Sequence, residues 1–127
     1  MDEFHILLRD PETAKYTVEV YKRFRKWGGI PTAMTQNVKD LLKNSQIENI
    51  LENARFIALL NQGPGDRNII GERLHISSQQ LSYVKDVQPG EGLLICDGTI
   101  VPFMDKFPKD TTLYKLMSTK PGEMLAV

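Results

Sequence analysis

The first clear pattern along the chain is an apolar periodicity typical of a helix. Between positions 11 and 27, apolar residues such as Ala14 and Val18 recur three or four positions apart, a spacing that places them on one face of a helix. An Asp-Pro pair precedes this stretch and a Gly-Gly pair follows it, and these are typical start and stop signals. The pattern therefore predicts a helix over 11–27 that packs its apolar face on a sheet.

Two apolar runs after this helix predict strands. "IPTAMT" at 30–35 and "RFIALL" at 55–60 are short and apolar, although Pro31 is tolerable in a strand mainly near its start. Two short helical segments, about 38–43 and 46–53, lie between them. Helices that alternate with apolar strands, with no hairpin signal between them, favour parallel pairing and right-handed crossovers.

Polar residues stand where these predicted strands end. Gln36 follows the first run and Gln62 follows the second, while the acidic pair Asp2 and Glu3 begins the apolar stretch "DEFHILL". An acidic pair in such a place is typical of the carboxyl end of a buried strand, although no strand precedes it here. Since open α/β sheets bind ligands at the carboxyl ends of their parallel strands, these four side chains are predicted to share one edge.

The last third of the chain has a different pattern. Asp66, in the turn "GPGDRN", is predicted to cap a helix, and Ser77 with Gln80 matches a capping box that starts a second helix. Asp97 and Gly98 then stand between two apolar runs, which is a strong signal for a β-hairpin. The chain is predicted to be one α/β domain with a βαβ part over about 1–62, a helical pair and hairpin over about 63–103, and a tail over 104–127.

Composition narrows the class without naming a partner. The 127 residues are 41% hydrophobic and 25% charged, which fits one globular domain with a moderate core. Lys+Arg and Asp+Glu both total 16, so net charge indicates neither nucleic acid nor membrane. Cys96 is the only cysteine and so has no internal disulfide partner. His5 and His75 are far apart in the sequence, so no structural metal site is predicted. With no signal peptide and no apolar run of membrane-spanning length, a cytoplasmic location is expected.

The polar residues each admit a functional and a plain interpretation. Asp2 and Glu3 suit a Mg-nucleotide site, one on the metal and one taking a proton from water, but they also suit a solvated chain start. The Gln36 amide could bind an attacking water or a γ-phosphate, or simply mark a strand end. Arg25, near a helix end, either stabilises the helix dipole or reaches a neighbour's phosphates. Gly63 and Gly65 do not form a P-loop, because no Gly-Lys-Ser/Thr follows them.

Two further classes of protein stay open on the residues alone. Positions 66–103 have the outline of a winged helix that binds DNA, with Gln79, Gln80 and Lys85 available to a recognition helix, although a basic cluster is lacking and Asp86 opposes phosphate. "DEFH" also matches the box of DExH helicases, but the Ser-Ala-Thr that such helicases carry is replaced by "TAMTQN".

An ordered string of motifs resembles a known family. "DEFHILL", "YKRFRKWGGIPTAMTQNVKDLL", "ILENARFIALLNQ", "ISSQQLSYV", "PGEGLLICDGTIVPF" and "TLYKLMSTKPGE" follow one another as in the C-terminal part of the large conjugation ATPases. These are the type IV secretion motor proteins of the VirB-four type, especially those of Gram-positive conjugative elements. The resemblance covers nearly the whole chain and implies the C-terminal part of a RecA-like parallel sheet of the FtsK/HerA superfamily.

The resemblance also implies roles for individual residues. Asp2 would be the Walker B aspartate that holds Mg²⁺ through water, and Glu3 the catalytic carboxylate. Gln36 would sense the γ-phosphate, Arg25 would project toward the nucleotide of an adjacent subunit, and Gln62 would be a polar strand-end residue beside the nucleotide. The implied cofactors are ATP and Mg²⁺.

One departure from the family pattern is large. No Gly-x-x-x-x-Gly-Lys-Ser/Thr loop occurs in these 127 residues, and without it nothing holds the β- and γ-phosphates. The chain is therefore expected to be a fragment or a truncated reading frame, inactive alone and without tightly bound nucleotide. Its expected partners are a second copy, through exposed strand edges, and in the parent the other secretion-channel components at the cytoplasmic face of the membrane, with DNA as a further candidate.

Overall fold

The computed structural model describes residues 4–36, 38, 50–51 and 53–120. Short helices flank a small sheet in this part of the chain. The elements, in order, are α1 (Phe4–Leu7), α2 (Pro11–Phe24), a 3-10 turn (Arg25–Trp27), β1 (Phe56–Leu59), α3 (Pro64–Arg73), α4 (Ser78–Leu81), a second 3-10 turn (Ser82–Val84), β2 (Glu91–Cys96), β3 (Thr99–Met104) and α5 (Thr112–Met117).

The helix predicted over 11–27 is confirmed as α2 with the 3-10 turn that continues it. The Asp10 carboxylate begins it by accepting hydrogen bonds from the backbone N–H and the hydroxyl of Thr13, each at 2.8 Å. Gly28, at φ 69°, then takes a left-handed conformation that favours glycine, which ends the helical stretch.

The described sheet has the order β1-β2-β3 and is antiparallel throughout. The predicted hairpin is confirmed, since β2 and β3 pair from Glu91↔Met104 to Cys96↔Thr99. Both residues of its turn have positive φ, 46° at Asp97 and 82° at Gly98, as two-residue hairpin turns require. The turn is also tied to the chain just before β1, because the Arg55 guanidinium lies 3.0 Å from the Asp97 carboxylate.

The α/β class, the helical pair and the hairpin are thus confirmed, but the pairing of the βαβ part needs correction. The run "RFIALL" does form β1, yet its partner is β2 of the hairpin and the two strands are antiparallel. The run at 30–35 is not a strand. Ile30 is 89% exposed, and Pro31 lacks the N–H that a ladder needs. The segments predicted at 38–43 and 46–53 lie largely outside the described residues.

The helical pair begins with two different N-caps. α3 starts at Pro64 with Gly63 as its N-cap and no side-chain cap, so the predicted capping role of Asp66 is wrong. The proline at the first helical position favours a start three residues earlier. The capping box of α4 is confirmed. The Ser77 hydroxyl accepts from the Gln80 N–H at 3.3 Å, and the Gln80 side-chain oxygen accepts from the Ser77 N–H at 3.0 Å.

Buried apolar side chains form two separate clusters. The helical core gathers residues from α1, α2 and the stretch near residue 50, namely Phe4, Leu8, Ala14, Val18 and Ile50. The sheet core gathers residues from the two strands, α3 and the turns around α4, namely Leu59, Ile70, Ile76, Val84 and Leu93. No helix in the described part of the chain is both long and apolar enough to cross a membrane.

Candidate functional site

The structure describes the predicted site from the residue that follows the acidic pair. Asp2 and Glu3 lie outside the described residues, and Phe4, which comes next, is 2% exposed in the helical core. Its ring contacts that of Tyr21 on α2, with centroids 5.6 Å apart. Side-chain packing therefore anchors Phe4, the residue that directly follows the two carboxylates.

Two hydrogen bonds join this anchor to the segment that leads to Gln36. The Phe4 N–H donates to the Met34 carbonyl oxygen at 2.9 Å. One residue further along both segments, His5 Nδ1 and Thr35 Oγ1 are 3.1 Å apart. The chain just after the acidic pair and the chain just before Gln36 thus run side by side, although neither is part of a strand.

Gln36 itself is exposed at a bend. It stands between Met34, which is bonded to the helical core through Phe4, and Val38, which packs against the sheet core. Residues on both sides of Gln36 are therefore anchored while its own side chain faces solvent. Such a place suits a polar group that meets a ligand, because rigid neighbours position an accessible amide.

Gln62 is held by its backbone. It follows β1 and is half-buried, and its N–H donates to the Val84 carbonyl oxygen at 2.9 Å. Val84 is fully buried in the sheet core. The link to the first part of the site is indirect, because Val38 packs against this same core. The nucleotide-side role predicted for Gln62 stays a prediction.

Arg25 opens the 3-10 turn that continues α2. This backbone position agrees with the predicted helix end, while its side chain is outside the described part. Lys26 beside it is exposed. A cation at a helix carboxyl end stabilises the dipole, and the role toward a neighbouring subunit stays a prediction.

The loop between β1 and α3 differs from a phosphate-binding loop. Gly63 has an ordinary φ of −64°, and Asp66 lies in the first helical turn. One carboxylate oxygen of Asp66 is buried and makes no hydrogen bond to the described residues. A carboxylate at this helix start opposes a phosphate. The interpretation of "GPGDRN" as a turn is wrong, however, because positions 64–68 form the first part of α3.

Electrostatic shifts in the described residues belong to structural contacts. Burial raises the pKa of Tyr21, whose hydroxyl has no hydrogen-bond partner among these residues. The hydrogen bond from Lys106 lowers the pKa of Glu91, helped by the Gln88 N–H. The Tyr21 shift comes from burial beside Phe4 and the Glu91 shift from hydrogen bonding, so neither shift identifies a catalytic acid or base.

The donor set for Mg²⁺ fits the ion in its chemistry. Carboxylate oxygens are the ligands that Mg²⁺ prefers. Phe4, which follows Glu3, is bonded to Met34, two positions before Gln36. The Gln36 amide can accept a hydrogen bond from water through its oxygen or donate one to a phosphate through its NH₂ group. Within the described ranges, no group of three or more His, Cys, Asp or Glu residues could hold a metal. The acidic pair falls outside those ranges.

His5 and Thr35 belong to this arrangement although spacing did not predict it. His5 was considered as a metal ligand too distant from His75, and Thr35 was part of a predicted strand. The one available signal was the "DEFH" box, which puts a histidine two residues after the glutamate. Contacts across 30 residues of chain cannot be deduced from spacing.

The geometry also bears on the winged-helix alternative. Its helical pair and hairpin are present, but the Gln80 side chain, a predicted base-reading group, is engaged in the capping box. β2 is moreover the centre of a three-stranded sheet.

The described residues define a small α/β fold in which short helices pack against an antiparallel sheet. A solved structure shares it: the chain is similar to VirB4 of Thermoanaerobacter pseudethanolicus, with a TM-score of 0.78 and 24% sequence identity. The likeness covers 84% of this chain and 30% of that one, so this chain spans about a third of the length of the VirB4 it matches. No family model matches the chain, and no curated protein does. At this identity the likeness establishes the fold.

Proposed function

We propose that this chain is part of a type IV secretion motor ATPase, which in its full-length form hydrolyses ATP to drive the transfer of DNA or protein. The observation that carries the proposal is the shared fold with VirB4 over 84% of the chain. The ordered motif string supports it independently, because the quoted stretches occur in the order typical of conjugation ATPases.

The local geometry supports the assignment of roles. Phe4 and Met34 are bonded, so the chain segments that carry Glu3 and Gln36 come together. Asp2 would hold Mg²⁺ through water, and the ion would neutralise charge on the phosphates. Glu3 accepts a proton from the attacking water, and the Gln36 amide orients that water or binds the γ-phosphate. Gln62, which follows β1, contacts the nucleotide.

Arg25 supplies charge to a neighbouring subunit in this proposal. It stands at the end of α2, where the helix gives way to a 3-10 turn. A guanidinium suits phosphate oxygens because it donates two parallel hydrogen bonds. Self-association of the parent is part of this role. In this proposal the parent works at the cytoplasmic face of the membrane with other channel components and transports DNA or protein.

The β- and γ-phosphates need a loop that these 127 residues do not contain. No Gly-x-x-x-x-Gly-Lys-Ser/Thr occurs in them, and Gly63 is the N-cap of a helix whose first turn carries Asp66. We therefore propose that the 127-residue chain alone does not hydrolyse ATP and that an upstream Walker A loop completes the site.

Calorimetric titration with Mg-ATP tests the proposal. The 127-residue chain is compared with the same chain extended upstream through a Walker A loop, and only the extended chain is expected to bind and hydrolyse ATP. In the extended chain, Glu3→Gln should bind ATP without turnover, since it keeps the shape of the side chain and removes the base. Gln36→Ala should bind ATP and hydrolyse it more slowly.

Two results would contradict this function. Tight binding by the short chain would place the phosphate site among residues assigned here to structure. Absence of binding by both chains would exclude a nucleotide site that uses Asp2 and Glu3.

A further inference from the structure

A contact between the side chains of His5 and Thr35 joins a very short helix to a segment that has no regular secondary structure. α1, which carries His5, has four residues, and residues 30–35 have no regular secondary structure. His5 Nδ1 and Thr35 Oγ1 are nevertheless 3.1 Å apart and half-buried. Together with the bond from the Phe4 N–H to the Met34 carbonyl, they make two consecutive links between the two segments.

One link alone would leave the relative placement of these segments loose. A single backbone hydrogen bond is a pivot about which the two chains can rotate, whereas a second bond one residue further on fixes their direction. Strands achieve the same result with a ladder of such bonds. Here the second bond comes from side chains, so its strength depends on the identity of two residues.

We propose that His5 and Thr35 are positioning residues that hold the segment after Asp2 and Glu3 in register with the segment that ends at Gln36. This inference rests on the proposed function, because the two ends it aligns are the predicted catalytic ones. His5 lies two residues after Glu3, and Thr35 lies directly before Gln36.

Precise alignment has a direct consequence for rate. A catalytic carboxylate and a water-orienting amide must be held within roughly 0.5 Å of their productive geometry, and a misplacement of about 1 Å can cost a hundredfold in rate. His5 and Thr35 touch neither nucleotide nor water in this scheme. They act through the backbone of their neighbours, so their loss should lower kcat and leave nucleotide binding unchanged.

The kinetic test uses the extended chain that carries the Walker A loop. Thr35→Val keeps the branched shape and removes the hydroxyl, and it should lower kcat about three- to tenfold with KM for ATP unchanged, the range expected for one lost hydrogen bond. Thr35→Ser should keep most of the rate. His5→Ala should lower kcat similarly, and the double variant should be no slower than the slower single variant.

A second measurement needs no nucleotide. Amide hydrogen exchange of the Phe4 N–H in the nucleotide-free extended chain should accelerate several-fold in Thr35→Val and remain near the wild-type rate in Thr35→Ser, because the side-chain bond protects the neighbouring backbone bond. Thr99→Val, an exposed threonine on β3, makes the same chemical change far along the chain. It should alter neither the exchange of Phe4 nor kcat.

The outcomes separate this inference from the function it rests on. If the wild-type extended chain neither binds nor hydrolyses ATP, the proposed function fails and the inference fails with it. If the wild type is active while Thr35→Val matches it in kcat and in Phe4 exchange, only the positioning role is overturned. A rise in KM without a change in kcat would also overturn it, because that result indicates a binding residue. If Thr35→Val does not fold, the kcat and exchange of Thr35→Ser and His5→Ala decide the question.

Discussion

The helical core and the sheet core are stabilised by different kinds of interaction. The sheet core lies on a backbone ladder in which β2 pairs with strands on both sides. No such ladder occurs around the helical core among the described residues. This core is held by side-chain packing around Phe4 and by the bonds from Phe4 and His5 to Met34 and Thr35.

The difference separates scaffold from site. Of the predicted site residues that the structure describes, Gln62 belongs to the sheet region, where it follows a regular strand. Gln36 lies in irregular chain that connects the two cores, since Met34 is bonded to Phe4 while Val38 packs against the sheet core. Polar functional groups are commonly placed on irregular segments that a rigid scaffold supports.

The largest expected effects on stability come from truncating a large buried side chain in either core. Leu93→Ala, at a side chain with 0% exposure in the sheet core, should lower the free energy of unfolding by about 4 kcal/mol. Phe4→Ala should cost about 3 kcal/mol, because its ring is buried in the helical core. Urea unfolding measures both, and Leu113→Ala, half-exposed on α5, is the mild control.

Hydrogen exchange on the same two variants sharpens the comparison. If the cores are separate, Phe4→Ala should speed exchange around α1 and α2 while leaving the β2 amides protected. Equal acceleration in both regions would show that the two clusters behave as one cooperative core.

A smaller effect is expected where β1 and β2 approach closely. A Cβ added at Gly92 would meet the carbonyl oxygen of Leu59, which is backbone and cannot rotate away. Gly92→Ala should therefore destabilise the chain by about 2–3 kcal/mol. Gly63→Ala is the matched control, because a Cβ there makes only ordinary contact. Equal urea midpoints for Gly92→Ala and wild type would contradict the register of β1 on β2.

The smallest expected effects concern the helix caps, one beside each core. Ser77→Ala removes the capping box of α4 and should cost about 1 kcal/mol at any pH between 4 and 8. Ser78→Ala, one residue inside the helix, is its control. The Asp10 cap behaves differently, because hydrogen bonds from Thr13 lower the pKa of its carboxyl.

The sign of the Asp10 effect follows from that shift. A carboxyl whose pKa is lower in the folded chain stabilises the fold above its unfolded pKa, and this contribution is lost as pH falls through the folded pKa. The difference in urea midpoint between wild type and Asp10→Ala should be largest near neutral pH and shrink in acid. Asp10→Asn keeps an acceptor that does not titrate, so its difference from Asp10→Ala should stay constant with pH.

Much of the local structure could be predicted from the sequence. The helix at 11–27, the capping box at Ser77, the β1 run and the Asp97-Gly98 hairpin all depend on residues a few positions apart, and each is confirmed. The start of α3 was missed at Asp66 because Pro64 already satisfies the first helical position. The strand at 30–35 was wrong because an apolar run forms a strand only when a partner supplies its hydrogen bonds.

The sequence by itself determined α2, the helical pair, the run that forms β1, the hairpin and the α/β class. Its motif string indicated the fold that the chain shares with VirB4. The tertiary structure decided which elements meet: β1 pairs with the hairpin and not with a parallel neighbour, and the residues after Asp2-Glu3 bond to those before Gln36. The physical reason is how far apart the contacting residues lie along the chain. Caps and turns form between neighbours in the chain, whereas the contact between His5 and Thr35 joins residues 30 positions apart and needs a tertiary fold that brings them together.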